Sequence, residues 1–282
     1  MKALSLFLLF NLFLYAAIVD VSTSKVADIS FPNEQRSPGG VAKLYFNERP
    51  DIFIENKKQN VFTIKLKDRW MVLLPLSLYK GTQTLRVVSQ TTSLIQVHLI
   101  LLEPANYKKQ YINVANKEFV IASEKTLKRI EKESLRKKKK VHRFTPLYLS
   151  NVKMIKPLES RLRHDFGRRR FFNGVAKSPH AGIDLSGRYG DKIKAPLAGN
   201  VILLGDLFYN GKMMLIDHGN GLMSAYSHLS KIYKEDETWV KQGEYIAEVG
   251  KSGRVTGPHL HWSVYMSGEP VNPELFLEDA SL

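Results

Sequence analysis

Between about Ser30 and Val114, short apolar runs alternate with turn residues. KLYF, IFIE, VFTIKL, WMVLLPL, TLRVVS and LIQVHLILLE are separated by Gly, Pro and Asn-rich stretches. In VFTIKL (Val61 to Leu66) and SLIQVHL (Ser93 to Leu99) apolar and polar residues partly alternate, the period of a strand with one face in a core. The pattern predicts a β-sandwich-like module. The texture changes at Phe119, where FVIASEKTLKRIEKESLRKKKKVHRF is charge-rich, with Ile121, Leu127 and Ile130 at near-helical spacing and Ser123 placed as an N-cap. A solvated basic linker helix is expected, its cations favourable at the C-terminal end. From about Pro146 β-like segments return in KIKAPLAGNVILLG, KMMLIDHGNGLMSAYSHL, WVKQGEYIAEVG and HLHWSVYM, and HGNG between apolar stretches predicts a hairpin. The chain is thus expected to be mainly β: an N-terminal β module over 25–116, a basic helical linker over 117–145 and a C-terminal antiparallel β domain over 146–282.

Residues 1–24 stand apart. Met1-Lys2 precedes the apolar run ALSLFLLFNLFLYAAIV, the n-region and h-region of a secretory signal. VDVSTSKVAD lacks a clean A-x-A site, so both a cleaved signal and an uncleaved anchor in the inner membrane are consistent with it. Export to the periplasm is the expectation. The net charge of +15 predicts attraction to a polyanion, whether nucleic acid, anionic lipid or an acidic wall polymer, and export argues against nucleic acid. There is no cysteine, which excludes disulfides, thiolate zinc sites and cysteine nucleophiles, so any metal must be held by nitrogen and oxygen.

Two of the eight histidines fall one residue apart in GPHLHWSVYM. In a strand, His259, His261, Ser263 and Tyr265 share one face while Leu260, Trp262, Val264 and Met266 anchor the other. Upstream, SPHAGIDLSG supplies His180 and Asp184 four residues apart, with Gly182 between them leaving room for an ion. One histidine of the later pair, His180 and Asp184 make two imidazoles and a carboxylate, the open three-ligand pattern of catalytic zinc. In AYSHLS, alternation places Tyr226 and His228 on one strand face, near enough to reach the same centre. His98, His142, His164 and His218 read as structural or surface residues, and Arg168 to Arg170 as either an attractant for substrate carboxylates or a solvated loop.

FGRRRFFNGVAKSPHAGIDLSGRYGDKIKAPLAGNVILLG, IDHGNGLMSAYSHLS and VKQGEYIAEVGKSGRVTGPHLHWSVYMSGEPVNP, taken in order over about Ser160 to Phe276, resemble the lysostaphin-type, or LytM-domain, zinc metallopeptidases. The resemblance implies a small antiparallel sheet with a groove along it and zinc held by His180, Asp184 and His261. It also implies that His259 and His228 act beside the metal, and that the substrate is a peptidoglycan peptide. Gram-negative relatives of similar layout cleave D-alanyl-diaminopimelate cross-links. Other LytM-like domains are catalytically silent regulators or scaffolds of wall hydrolases, but those usually lack part of the ligand set, which is complete here. Other wall hydrolases or morphogenesis proteins are the partners such a chain would meet. SRLRHDFG departs from the shorter Ser-to-Phe-Gly link of several relatives, so the groove entrance is expected to differ.

Overall fold

The computed structural model describes residues 31–81, 84–147 and 152–278; the signal segment expected over 1–24 lies outside them. Eight strands come first: β1 (Val41–Phe46), β2 (Asp51–Ile54), β3 (Lys57–Gln59), β4 (Phe62–Lys65), β5 (Trp70–Pro75), β6 (Leu85–Gln90), β7 (Ile95–Ile100) and β8 (Lys109–Ile112). Helix α1 (Glu124–Val141) follows. Then come β9 (Arg169–Phe172), β10 (Val175–Ala176), β11 (Ile183–Ser186), β12 (Lys192–Lys194), β13 (Gly199–Leu207), β14 (Gly211–Gly219), β15 (Leu222–Ile232), β16 (Trp239–Val240), β17 (Tyr245–Val249), β18 (His259–Met266) and β19 (Glu269–Val271). No helix among the described residues is long and apolar enough to cross a membrane.

The first seven strands form two antiparallel sheets, β1-β5-β4 and β3-β2-β6-β7. Ala42, Leu44, Ile52, Val72, Leu74 and Val87 fill the space between them, as expected of a sandwich. The run WMVLLP in β5 is continuously apolar because both of its faces are buried. Val72 and Leu74 enter the sandwich, whereas Met71 and Leu73 point the other way, into a second core. That second core also takes in Ile183, Leu185, Met214, Ile216, Tyr226, Trp262 and Phe276 from the later part of the chain. The two halves therefore share a hydrophobic layer. Strand β8 strengthens the join by pairing in parallel with β9, Lys109 opposite Arg169 through Ile112 opposite Phe172.

The large sheet runs β11-β18-β15-β14-β13-β16, with β17 bridging β15 to β12 and β19 beside β18. The hairpin between β14 and β15 turns at Asn220-Gly221, both at positive φ, 50° and 77°, the backbone that a two-residue hairpin loop with the right-handed strand twist demands. One face of this sheet covers the shared core, while Ile202, Leu203, Met213, Leu215, Met223, Ala225 and Tyr265 pack on the other with Val141 of α1.

Helix α1 differs from the expected solvated linker. Ser123 caps it as read, accepting from Thr126 N, but Ile121 precedes the helix at 76% exposure and Leu127 is 53% exposed. The face turned to the sheet is mainly polar. Glu133 accepts from Phe208 N at 2.8 Å, Arg129 donates to the Asp206 carbonyl at 3.1 Å and Arg136 to the Leu204 carbonyl at 3.2 Å. These bonds satisfy strand-edge groups of β13 and its following turn, so the helix is docked by polar contacts rather than by an apolar stripe.

Candidate metal centre and active-site groove

Strand β18 delivers the later histidines as alternation requires. Leu260, Trp262, Val264 and Met266 are fully buried in the shared core, leaving His259, His261 and Ser263 on the opposite face. β11 pairs antiparallel with β18 so that Asp184 lies directly opposite His261, and β15 pairs on the other side with Ser227 opposite His261. Gly182 makes this approach possible. A Cβ there would sit 2.5 Å from the Trp262 carbonyl oxygen, 2.5 Å from Ser263 Oγ and 2.9 Å from His261 Cε1, so its role is clearance for β18 and the His261 ring rather than for an ion.

His180, Asp184 and His261 converge, so the histidine of the later pair that joins the first two is His261, the one the family resemblance implies. His180 Nε2 and His261 Nδ1 are 2.9 Å apart, and Asp184 Oδ1 is 3.1 Å from the first and 2.9 Å from the second. A tetrahedral ion with bonds near 2.0–2.1 Å sets its ligand atoms about 3.3 Å apart, close to what is found. The outer nitrogens are committed elsewhere: His180 Nδ1 donates to the Asp165 carbonyl at 2.9 Å, and His261 Nε2 bonds Ser263 Oγ at 2.9 Å. The inner atoms thus aim three lone pairs at one point. A single proton satisfies two of them; a divalent cation satisfies all three.

The electrostatics match that reading. Burial holds His261 down to about 3, so the ring is neutral and free to coordinate. Burial pushes Asp184 upward, but the two imidazoles of His180 and His261 beside it outweigh burial and hold the carboxyl well below the usual range, so it stays an anion. Among the described residues this is the one cluster of His, Asp and Glu whose ligand atoms gather in this way.

His228 reaches the same face by a route the sequence did not reveal. Tyr226 pairs with Trp262 and is buried in the shared core, its hydroxyl bonded to Ser224, so Tyr226 and His228 do not share a face. The β14–β15 register shifts between Lys212 and Met214, and His228 takes φ 66°, so a bulge turns consecutive residues Ser227 and His228 toward the groove. The His228 ring then lies 4.9 Å from that of His259 and 6.1 Å from that of His261. His228 Nδ1 donates to the Ser252 carbonyl at 2.8 Å and His259 Nδ1 to the Gly257 carbonyl at 2.9 Å, which leaves each ring's Nε2 for chemistry. Burial, then the neighbouring His259, lowers His228 to about 4.

Two further residues support the centre: Asp165, which no sequence motif marks, and Arg170, from the arginine run at 168–170. Asp165, buried in SRLRHDFG, accepts from Asp184 N at 3.1 Å through its carboxylate while its carbonyl fixes His180. Arg170 donates to Asp184 Oδ2 at 2.9 Å, occupying the carboxylate oxygen that faces away from the histidines. Of the arginines at 168–170, this one is therefore engaged within the site rather than free for substrate. His98 and His218 are buried and hydrogen-bonded to serines, His164 pairs with buried Glu274, and His142 closes α1. The four stay out of the site.

The centre opens into a groove of about 580 Å³ walled by Tyr79 from the first half of the chain, Ser134 and Lys137 from α1, and Tyr209, Asn210 and Arg254 from the loops flanking the sheet.

The segment that holds this site is similar to known proteins. Residues 178–273, which contain every member of the cluster, match peptidase family M23. A solved Pseudomonas aeruginosa structure assigned to peptidase M23 is 30% identical, with TM-score 0.71, over 88% of this chain and 97% of that one. The peptidoglycan DD-endopeptidase ShyA of Vibrio cholerae is 36% identical over 119 residues, 41% of this chain and 28% of that protein. The DD-carboxypeptidase/endopeptidase Mpg of Neisseria meningitidis is 39% identical over 94 residues, 33% of this chain and 22% of that protein. The matches thus span about a quarter of those two curated relatives. With the ligand cluster inside the matched segment and the Pseudomonas likeness running through both halves, the chain belongs to peptidase family M23.

Proposed function

We propose that this chain is a zinc-dependent peptidoglycan endopeptidase, exported to the periplasm, that hydrolyses peptide cross-links of the D-alanyl-diaminopimelate type. The observation carrying the reading is the set of three inward lone pairs of His180, Asp184 and His261, with two further imidazoles beside it. Zinc held by those three side chains supplies Lewis acidity, acidifying water and polarising a carbonyl. The protein's own groups do the rest. Asp165 and Ser263 hold the two ligand imidazoles in orientation, and Arg170 fixes the Asp184 carboxylate. His228 and His259 present Nε2 to the reacting centre, as acceptors of the attacking water's proton and, once protonated, as donors to the developing oxyanion and the leaving amine.

The name of the ShyA relative supports peptidoglycan as substrate, that of the Mpg relative supports DD-peptide cleavage, and the apolar N-terminus with its basic flank supports export. The same reading assigns 25–116 to a non-catalytic β module, 117–145 to the basic helix and 146–282 to the peptidase domain, with 1–24 as signal or inner-membrane anchor. Its partners are wall peptide and, at the membrane, other wall hydrolases or morphogenesis proteins.

The test is digestion of purified sacculi followed by muropeptide analysis. Cross-linked dimers are expected to disappear with zinc present, to persist after chelation and to disappear again on adding zinc back. His261→Ala should lose both the metal and the activity, whereas His228→Ala and His259→Ala should keep the metal and lose about 10²–10⁴-fold in kcat. Dimers left intact by a zinc-loaded protein would overturn the reading.

A further inference from the structure

The groove beside the centre is lined by four cations, Lys137, Arg170, Lys177 and Arg254, and its lining contains no carboxylate. Arg170 is neutralised by Asp184. The other three form no ion pair among the described residues: Lys137 lies over the Tyr265 ring at 5.3 Å, Lys177 donates to the Val120 carbonyl at 2.6 Å, and Arg254 rests against aromatic rings.

Arg254 is the most constrained of them. Its guanidinium carbon is 3.9 Å from the Phe172 ring centroid and 4.5 Å from that of Tyr209. One terminal nitrogen donates to the Phe119 carbonyl at 3.4 Å, and its own backbone N–H donates to Tyr209 O at 3.0 Å. Gly253, at φ 73°, lets this loop press on the β13–β14 turn, since a Cβ there would meet Gly211 N at 2.4 Å and Tyr209 O at 2.6 Å. The side chain is thus held in place by Phe172 of β9, by Tyr209 of the turn and by Phe119 in the segment before α1. Burial lowers its pKa to about 10, which still leaves it charged at neutral pH.

A guanidinium stripped of much of its water and given no counter-ion is costly, and the cost is offset when a carboxylate takes its parallel N–H groups in bidentate fashion. Groove, position and missing counter-ion agree on where that carboxylate comes from. We infer that Arg254 is a specificity residue that binds a free carboxylate of the peptide substrate, the one borne by the carbon attached to the leaving amine. This rests on the cross-link reading above. In a D-alanyl-diaminopimelate bond the alanine side offers only a methyl group next to the scissile carbonyl. The nearest free carboxylate is therefore the one on the diaminopimelate centre that supplies the nitrogen.

The experiment compares two muropeptide dimers that differ only at that carboxylate, free or amidated, in kcat/KM with the zinc-loaded protein. Kd is measured separately by calorimetry with zinc-loaded His259→Ala, whose about 10²–10⁴-fold lower turnover leaves the dimers intact over the titration. A hydrogen-bonded charged contact predicts a preference of about 10- to 100-fold for the free acid. Arg254→Gln should reduce it to within about 3-fold, with the loss confined to the free acid, and Arg254→Lys should restore only part of it. Equal use of both dimers by the wild-type protein overturns the inference without need of any variant. An equal fall on both dimers in Arg254→Gln overturns it as well, by making the residue structural. If neither dimer is cleaved but binding still prefers the free acid, the hydrolytic reading fails while the carboxylate site stands; if neither dimer binds, both fail.

Discussion

His218 sits at the end of β14 with no exposure, donating Nδ1–H to the Ala198 carbonyl at 2.9 Å and accepting from Ser224 at Nε2, 2.7 Å away. Burial lowers it to about 4. In the unfolded chain an imidazole titrates near 6.5, so below that pH the unfolded state takes up a proton that the folded state refuses until about pH 4. The stabilisation is therefore fully present above about pH 6.5 and declines as acid is added across that window, by about 3 kcal/mol in all. Denaturant titrations of the zinc-free protein between pH 7 and 4 should show the decline, and His218→Gln should flatten part of it. An unchanged slope in the variant would mean that another group titrates there. Composition and position left His218 looking like an ordinary hairpin residue; only its packing depth gives it this consequence.

At the scale of elements, the pairing of β11 with β18 sets the distance between Asp184 and His261, and Gly182 sets the pairing. Gly182→Ala should force β11 away from the Trp262 carbonyl. Overpacking of this kind costs about 1–3 kcal/mol and should weaken zinc affinity at least tenfold, as read by competition with a chromophoric chelator. Affinity equal to that of the parent would show that the strands can shift without separating the ligands. The candidate ligand cluster was legible in the sequence because β18 alternates without interruption, Asp184 lies on its neighbouring strand β11 and His180 stands three residues before that strand. His228 was legible by type but not by mechanism. Strict alternation puts it in the core beside Tyr226, and the bulge that rescues it is a backbone event with no glycine to announce it. Arg170 and Asp165 were hidden for another reason. Their partners are 14 and 19 residues away in sequence and meet them only once the segment before β9 has folded back on the sheet. Docking of α1 through Glu133, Arg129 and Arg136 escaped notice because a charged helix face is normally a solvated one.

Over the whole molecule, the two halves read from the sequence as consecutive modules are joined more tightly than a module boundary suggests. Val41, Phe62, Ile64, Met71, Leu73 and Leu78 of the first half lie in one core with Val271, Leu275 and Phe276 of the second. Asn33 N donates to the Leu275 carbonyl at 2.7 Å, Asn272 N to the Gly39 carbonyl at 2.8 Å, and β8 supplies the strand on which β9 carries Arg170 to Asp184. Six large side chains, each worth about 1.5–3 kcal/mol when buried, amount to roughly 10–20 kcal/mol, at least the size of a whole domain's net stability. A fragment beginning at Lys117 should therefore fail to hold a folded peptidase half: the apolar face over Phe276 would be uncovered and β9 would lose β8, keeping only the two-residue strand β10 beside it. In the full chain, hydrogen exchange followed by mass spectrometry should show β5 and the β14–β15 hairpin losing protection at the same denaturant concentration. Loss of β5 at clearly lower denaturant, with the hairpin and zinc retained, would show instead that the β module is a detachable cover, and a stable zinc-binding fragment from 117 onward would make the same point.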